Sequence, residues 1–162
     1  MRKGFTLIEL LIVIAIIGLL ATLAIVSLTS AQQKSRDAKR IADIKQLQNA
    51  TELYFNEITV GSYPDPANWT EYTNNLVPIM SSMPTDPTND ATRFYIYATN
   101  DSADEYVIGT RLEDVNHPAL SGDDDTNYTA VGAWLGISPV TSSVATPTTV
   151  NCSLAGVYCL SE

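Results

Sequence analysis

From Phe5 to Leu28 the chain reads FTLIELLIVIAIIGLLATLAIVSL, and nearly every position is apolar. Those residues cover all sides of a helix rather than one, so the run predicts a helix with no polar face. Its 24 residues would span roughly 36 Å, enough to cross a hydrocarbon core of about 30 Å. After Leu28 the pattern changes without a linker. Ala38, Ile41, Ile44, Leu47, Thr51, Tyr54, Phe55 and Ile58 recur at steps of three and four, with Lys, Gln, Asp and Asn between them. This predicts an amphipathic helix with one apolar stripe, suited to lie across a sheet. Gly61 and the Tyr63-Pro64 pair end it. The two halves read as one helix of about 50 residues, about 80 Å if unbroken. A membrane helix followed by a separate soluble helix fits the same residues.

The remaining pattern is that of strands and turns. Asp65 to Asp90 is rich in Pro, Asn, Asp and Thr and reads as a connecting loop with one helical turn. Arg93 to Thr99 (RFYIYAT) and Glu105 to Leu112 (EYVIGTRL) read as two strands, with Asn100 to Asp104 as the turn of a hairpin. Further strands are expected around Tyr128 to Leu135 and Val157 to Leu160. Tyr95, Tyr97 and Tyr106 are expected to alternate between core and surface. Ser138 to Thr149 reads as an exposed loop. The fold class is α+β: a long N-terminal helix packed on a small antiparallel sheet. Residues 5–28 form the stem, 29–60 the amphipathic helix and 61–162 the head.

Charge divides the chain in the same way. Between Gly4 and Leu28 the single ionisable side chain is Glu9, whereas Val60 to Glu162 holds thirteen Asp or Glu against Arg93 and Arg111. The head therefore carries about −11 near neutral pH, which argues against a general nucleic-acid-binding surface. Positive charge gathers in Lys34, Arg36, Lys39, Arg40 and Lys45, interrupted by Asp37 and Asp43. The preferred reading is a solvated helix face; the sharper one is a basic collar that meets acidic heads of neighbouring copies. Cys152 and Cys159 are the two cysteines. In an oxidising compartment they are expected to close a short C-terminal loop as a disulfide, the other reading being two free thiols.

Arg2 and Lys3 precede the apolar run and favour a cytoplasmic N-terminus with export of everything after Leu28, although the basic residues at 34–45 oppose that orientation. A secretory signal peptide would have a shorter apolar core and a small-residue cleavage site. A simple signal anchor has no use for Glu9, because a carboxylate at a bilayer centre costs about 2.5–3.5 kcal/mol, less near the interface. The charge calls for a partner.

Arg2-Lys3-Gly4-Phe5-Thr6-Leu7-Ile8-Glu9 resembles the type III signal of type IV prepilins and of the pseudopilins of type II secretion. The resemblance implies the pilin fold. It also implies a leader of residues 1–4, cleavage by a prepilin peptidase between Gly4 and Phe5, and N-methylation of Phe5. Glu9 would become the fifth residue of the mature chain, the position that pairs with the N-terminal amine of an adjoining subunit. An ammonium and a carboxylate in an apolar core relieve each other, so Glu9 would set axial register. These features decide the orientation for the Arg2-Lys3 pair. Many members have Pro where this chain has Val26, leaving Gly18 as the weaker break point of the stem. More loosely, Tyr63-Pro64, Met83-Pro84-Thr85-Asp86-Pro87 and Phe94-Tyr95-Ile96-Tyr97 resemble the order found in major pseudopilins. The implied partners are the peptidase, further copies or other pilin or pseudopilin subunits, an inner-membrane assembly platform, and membrane lipid before assembly. The implied location is a single-pass inner-membrane precursor with its head exported, then a surface pilus or periplasmic pseudopilus.

The densest carboxylate cluster is Asp123, Asp124 and Asp125 after Gly122. Such a loop suits a hard cation such as calcium, but the spaced Asp-Gly pattern of calcium-binding pseudopilins is not reproduced. A solvated turn is the preferred reading, and no cofactor is expected. His117 is the single histidine, and no nucleophile–base arrangement or phosphate-binding loop accompanies it, so the chain does not read as an enzyme. The leading reading is a structural filament subunit. A DNA-uptake pilin and an unprocessed signal-anchored surface protein are the alternatives.

Overall fold

The apolar run and the amphipathic stretch form one helix. In the computed structural model, which describes residues 5–66, 68–88, 93–100, 102–125, 127–128 and 150–161, α1 runs Leu7–Leu53. Neither Gly18 nor Val26 interrupts it. Two threonine hydroxyls are satisfied within the helix: that of Thr22 donates to the Leu19 carbonyl at 2.8 Å and that of Thr29 to the Val26 carbonyl at 2.9 Å. The last turn widens. Tyr54–Ile58 is a π-helical turn in which Thr59 N donates to Tyr54 O at 3.2 Å and Gly61 N to Phe55 O at 3.1 Å. The chain then reverses through Val60 at φ 27° and Gly61 at φ 94°. Gly61 takes this conformation without a Cβ penalty, whereas the β-branched Val60 is strained there.

The chain divides into two compact units, Met1–Ser35 and Arg36–Glu162. In the first, the large apolar side chains from Leu7 to Leu28 are exposed on every side of α1. In the second, α1 packs on an antiparallel sheet of order β1-β2-β5, comprising β1 (Tyr95–Thr99), β2 (Tyr106–Arg111) and β5 (Val157–Ser161). Tyr97 pairs with Ile108, and Gly109 with Cys159. Both predicted strands of the hairpin and the last strand are present. A second sheet pairs β3 (Asn127–Tyr128) with β4 (Val150–Asn151); the rest of the strand expected to reach Leu135 and the loop expected at 138–149 lie outside the described residues.

Two apolar layers flank the three-stranded sheet. On the helix side, Ile44, Leu47 and Ala50 of α1 meet Tyr95, Tyr97, Tyr106, Ile108 and Tyr158. A second helix, α2 (Trp69–Leu76), adds Trp69, Tyr72 and Leu76 to this layer. It is two turns long where one was expected, and begins on Asn68, whose side chain accepts the Glu71 N–H at 3.0 Å. The tyrosines do not alternate. Tyr95 and Tyr97 share strand parity, Tyr106 faces the same side, and all three are buried. Their rings continue a file in which Tyr63–Tyr106, Tyr106–Tyr97, Tyr97–Tyr72 and Tyr72–Trp69 centroids lie 4.5, 6.1, 4.2 and 5.3 Å apart. Burying an apolar side chain of this size stabilises by about 1.5–3 kcal/mol.

On the other side, Ala98, Val107, Val150, Cys152 and Cys159 form the second layer. Cys152 and Cys159 are joined as a disulfide with Cα atoms 5.8 Å apart, as the sequence led us to expect. Gly109 makes room for it, since a Cβ there would meet Cys159 Sγ at 3.0 Å.

The helix stripe differs from the predicted one at its ends. Ala38 and Ile58 are exposed, while Asp37, Arg40 and Asp43 are buried. The π-turn inserts an extra residue per turn and so rotates Ile58 off the stripe.

Candidate functional site

In the first unit, Phe5 is 84% exposed and Thr6 caps α1. Thr6 N and Oγ1 both donate to Glu9 Oε2, at 2.9 and 2.7 Å, and Glu9 N donates to Thr6 Oγ1 at 3.3 Å. Thr6-x-x-Glu9 is thus a capping box, which satisfies donors that the first helical turn otherwise leaves free. It also places a carboxylate at the positive end of the helix dipole. The sequence reading singled out Glu9 but missed the part of Thr6; the Thr-x-x-Glu spacing before an apolar run was the signal. Gly4, on the other side of the expected cleavage point, lies outside the described residues.

The helix bearing Glu9 is long and apolar enough to cross a membrane, by length and composition, and its most apolar window is unburied. An exposed apolar surface of this extent marks a contact with lipid or with another protein.

In the second unit, the basic run of the sequence separates into two groups. Arg36 and Arg40 face inward. Arg40, with no exposed side-chain surface, donates through Nε and Nη2 to Asp86 at 2.6 and 3.1 Å, and through Nη1 to Asp37 at 2.7 Å and Glu113 at 2.9 Å. Arg36 forms a two-pronged bond to Glu113 at 2.6 and 2.7 Å. Asp37 also accepts the backbone N–H groups of Glu113 and Asp114, both at 2.9 Å. Desolvation works against the charge of Arg40, but its bonds to Asp86, Glu113 and Asp37 outweigh it and hold the guanidinium firmly protonated. Hydrogen bonds from Arg36, then Arg40, overcome the desolvation of Glu113 and pull its pKa down to about 2. Lys34, Lys39 and Lys45 stay exposed. The solvated-face reading therefore holds for the three lysines and fails for the two arginines.

Two further acids on α1 receive tyrosine hydroxyls from the sheet: Tyr95 donates to Asp43 and Tyr106 to Glu52, each at 2.6 Å. Burial first, then the adjoining carboxylate, raises both phenol pKa values, so both stay donors. These contacts fix helix against sheet. None of them was legible, except that Asp86 stands in the Pro84-Thr85-Asp86-Pro87 turn already singled out.

Asp123 and Asp124 are half-buried and bonded to β5, while Asp125 is exposed. Asp123 Oδ2 accepts the Cys159 N–H at 3.2 Å, Asp124 N donates to the Cys159 carbonyl at 3.1 Å, and the Ser161 hydroxyl donates to Asp124. Together they cover the free edge of β5. Burial raises the pKa of Asp123. Among the described residues no group of three or more His, Cys, Asp or Glu is arranged to hold a metal ion. His117 Nδ1 accepts the Ala119 N–H at 3.1 Å and caps the short 3-10 helix Pro118–Ser121.

Residues 1–25 match a family model described as the prokaryotic N-terminal methylation motif. The chain is similar to the type II secretion system core protein G of Escherichia coli, 42% identical over 53 residues, or 33% of this chain and 37% of that protein. It is also similar to the type IV major pilin protein PilA of Myxococcus xanthus, 42% identical over 67 residues, 41% of this chain and 30% of that protein. The core protein G of Vibrio cholerae is 39% identical over 56 residues, 33% of this chain and 38% of that protein. The matched part spans about a third of the length of each of these relatives. No solved structure matches the chain. The names of these relatives, a pilin and a secretion-system core protein, agree with a structural subunit rather than an enzyme.

Proposed function

We propose that this chain, which carries the N-terminal methylation motif of the pilin and pseudopilin family, is a precursor subunit that is trimmed after Gly4 and assembled into a filament through α1. The observation that carries this reading is one carboxylate, Glu9, in the first turn of α1, whose stretch to Leu28 is otherwise without charge and exposes its large apolar side chains on all sides.

Before assembly the apolar half of α1 resides in the membrane, with Arg2 and Lys3 on the cytoplasmic side and the head exported. Cleavage by a prepilin peptidase removes residues 1–4 and creates an ammonium at Phe5, which the same enzyme methylates. In the filament the stems leave lipid and bury their Ile, Leu and Val against one another. Glu9 then exchanges the Thr6 bonds for the N-terminal ammonium of an adjoining subunit. An incorrectly seated subunit would strand both charges in an apolar core, so pairing selects one axial register. An inner-membrane platform would supply subunits to the growing end.

The test is peptide mass spectrometry of sheared surface material and of membranes from the native cell. A chain starting at N-methylated Phe5 in the sheared fraction supports processing and a surface pilus. The same chain confined to membranes supports a periplasmic pseudopilus. A Met1 or Arg2 start in both fractions rejects the reading.

A further inference from the structure

The second unit is electrically polarised. Its six cations, Arg36, Lys39, Arg40, Lys45, Arg93 and Arg111, all lie in the first ten residues of its helix or at the ends of β1 and β2 remote from the hairpin turn, and Arg36 and Arg40 are balanced there by Asp37, Asp86 and Glu113. The opposite end is acidic. There Tyr63 N donates to Ala103 O at 2.8 Å and Tyr97 Oη to Pro64 O at 2.6 Å, which brings the hairpin turn against the segment that follows the helix. Glu57, Asp65, Asp104 and Glu105 are exposed on these segments.

Two of the cations are uncommitted. Lys39 and Lys45 are exposed and make no ion pair among the described residues. At 3.6 residues per turn they point about 120° apart around the axis, and the exposed Ala38 and Ala42 lie between them. This side of the helix is the one turned away from the sheet: a shallow strip with a lysine on either flank.

We propose that this strip receives the acidic pole, Glu57, Asp65, Asp104 and Glu105, of a second copy of the same chain. The inference rests on the filament reading and extends it from the stem to the head. A strip on one side and a pole at the end are different surfaces, so the contact is head-to-tail and propagates as an open helical array rather than closing as a two-fold dimer. Exposed ion pairs contribute little each, and their use here is orientation: like poles repel and opposite poles attract, so a subunit is directed to one register before the stems lock.

The test uses the full chain in its native cell. Carbodiimide, which joins a lysine amine directly to a carboxylate, is applied to sheared material and membranes, and the cross-linked dimer is digested. Peptides joining Lys39 or Lys45 to Asp65, Asp104 or Glu105 are expected. Separately, Lys39→Glu with Lys45→Glu should lower the assembled fraction about tenfold, the effect of losing two or more exposed pairs per contact. Adding Asp104→Lys and Glu105→Lys to the same chain should restore it. Dimers cross-linked elsewhere, unchanged assembly of the first variant, or no recovery in the second would each overturn the proposal. Failure of the filament reading itself looks different: the Glu9→Ala control would then behave like the parent chain.

Discussion

Arg40 and Asp86 stand 46 residues apart in the chain and meet in a fork, Nε to Oδ2 at 2.6 Å and Nη2 to Oδ1 at 3.1 Å, with neither side chain exposed. A helix residue is thereby tied to the Pro-Thr-Asp-Pro turn. Arg40 also holds Asp37 and Glu113, so removing it takes a counterion from three carboxylates at once. Arg40→Ala, which leaves the buried Asp37 and Asp86 without that guanidinium, should destabilise the head by about 3–5 kcal/mol. Chemical denaturation of the full chain in detergent checks it. A loss below about 1 kcal/mol would show that water enters the cluster and screens it as at a surface.

The same cluster sets an acid limit. The pKa of Glu113 is pulled to about 2 in the folded chain, against about 4.3 in an unfolded one. A depressed carboxyl contributes stability that is fully present above the unfolded value and is lost as pH falls through the folded one. The melting temperature should therefore drop between about pH 5 and 2, and Glu113→Gln should flatten that limb while lowering stability at pH 7.

Reducing the Cys152–Cys159 bridge acts on one layer only. The cysteines are seven residues apart, and a loop this short is worth about 2–3 kcal/mol through restriction of the unfolded chain. Cys152→Ser with Cys159→Ser should cost that much. Hydrogen exchange should rise first at Val107 and Val157, whose layer the bridge belongs to, and later at Tyr97 and Ile108.

Val60 offers a gain. It sits at φ 27° with 80% of its surface exposed, so Val60→Gly forfeits little packing and removes the Cβ strain. We expect stabilisation of about 1 kcal/mol, read as a higher melting temperature. A lower one would mean that the flexibility given to the unfolded chain outweighs the relief.

Glu9→Ala should abolish assembly while the chain still inserts in the membrane, since removing a charge from an apolar segment favours insertion. Fractionation and electron microscopy of the same culture separate the two. Loss from the membrane fraction would show that Glu9 acts in targeting rather than in register.

Elements written in repeating patterns were legible in the sequence. The apolar run and the stripe after it pointed to a long helix ending near Gly61, of which Leu7–Leu53 is α-helical and Tyr54–Ile58 a π-turn; the alternating runs gave β1 and β2, and the short spacing of Cys152 and Cys159 suited a bridge. What escaped depends on partners far along the chain. Asp37, Arg40 and Asp43 look like solvated charges until Asp86, Glu113 and Tyr95 arrive from 46 to 76 residues away. β4 is two residues long and has no pattern to read. The start of α2 was legible in the Asn68-x-x-Glu71 spacing, but the surrounding Pro and Asn residues obscured it. At the stem, Glu9 stood out because nothing near it shares its chemistry, whereas Thr6 passed as one more small residue.

The file of rings from Tyr63 to Trp69 has an optical consequence. Energy absorbed by Tyr63, Tyr106, Tyr97 or Tyr72 has a neighbouring ring within 4.2–6.1 Å at every step, and the last step ends on an indole. The folded head should thus report on its own packing: light absorbed by these tyrosines is expected to emerge from Trp69 while the file is intact, and their own emission to return when helix and sheet separate.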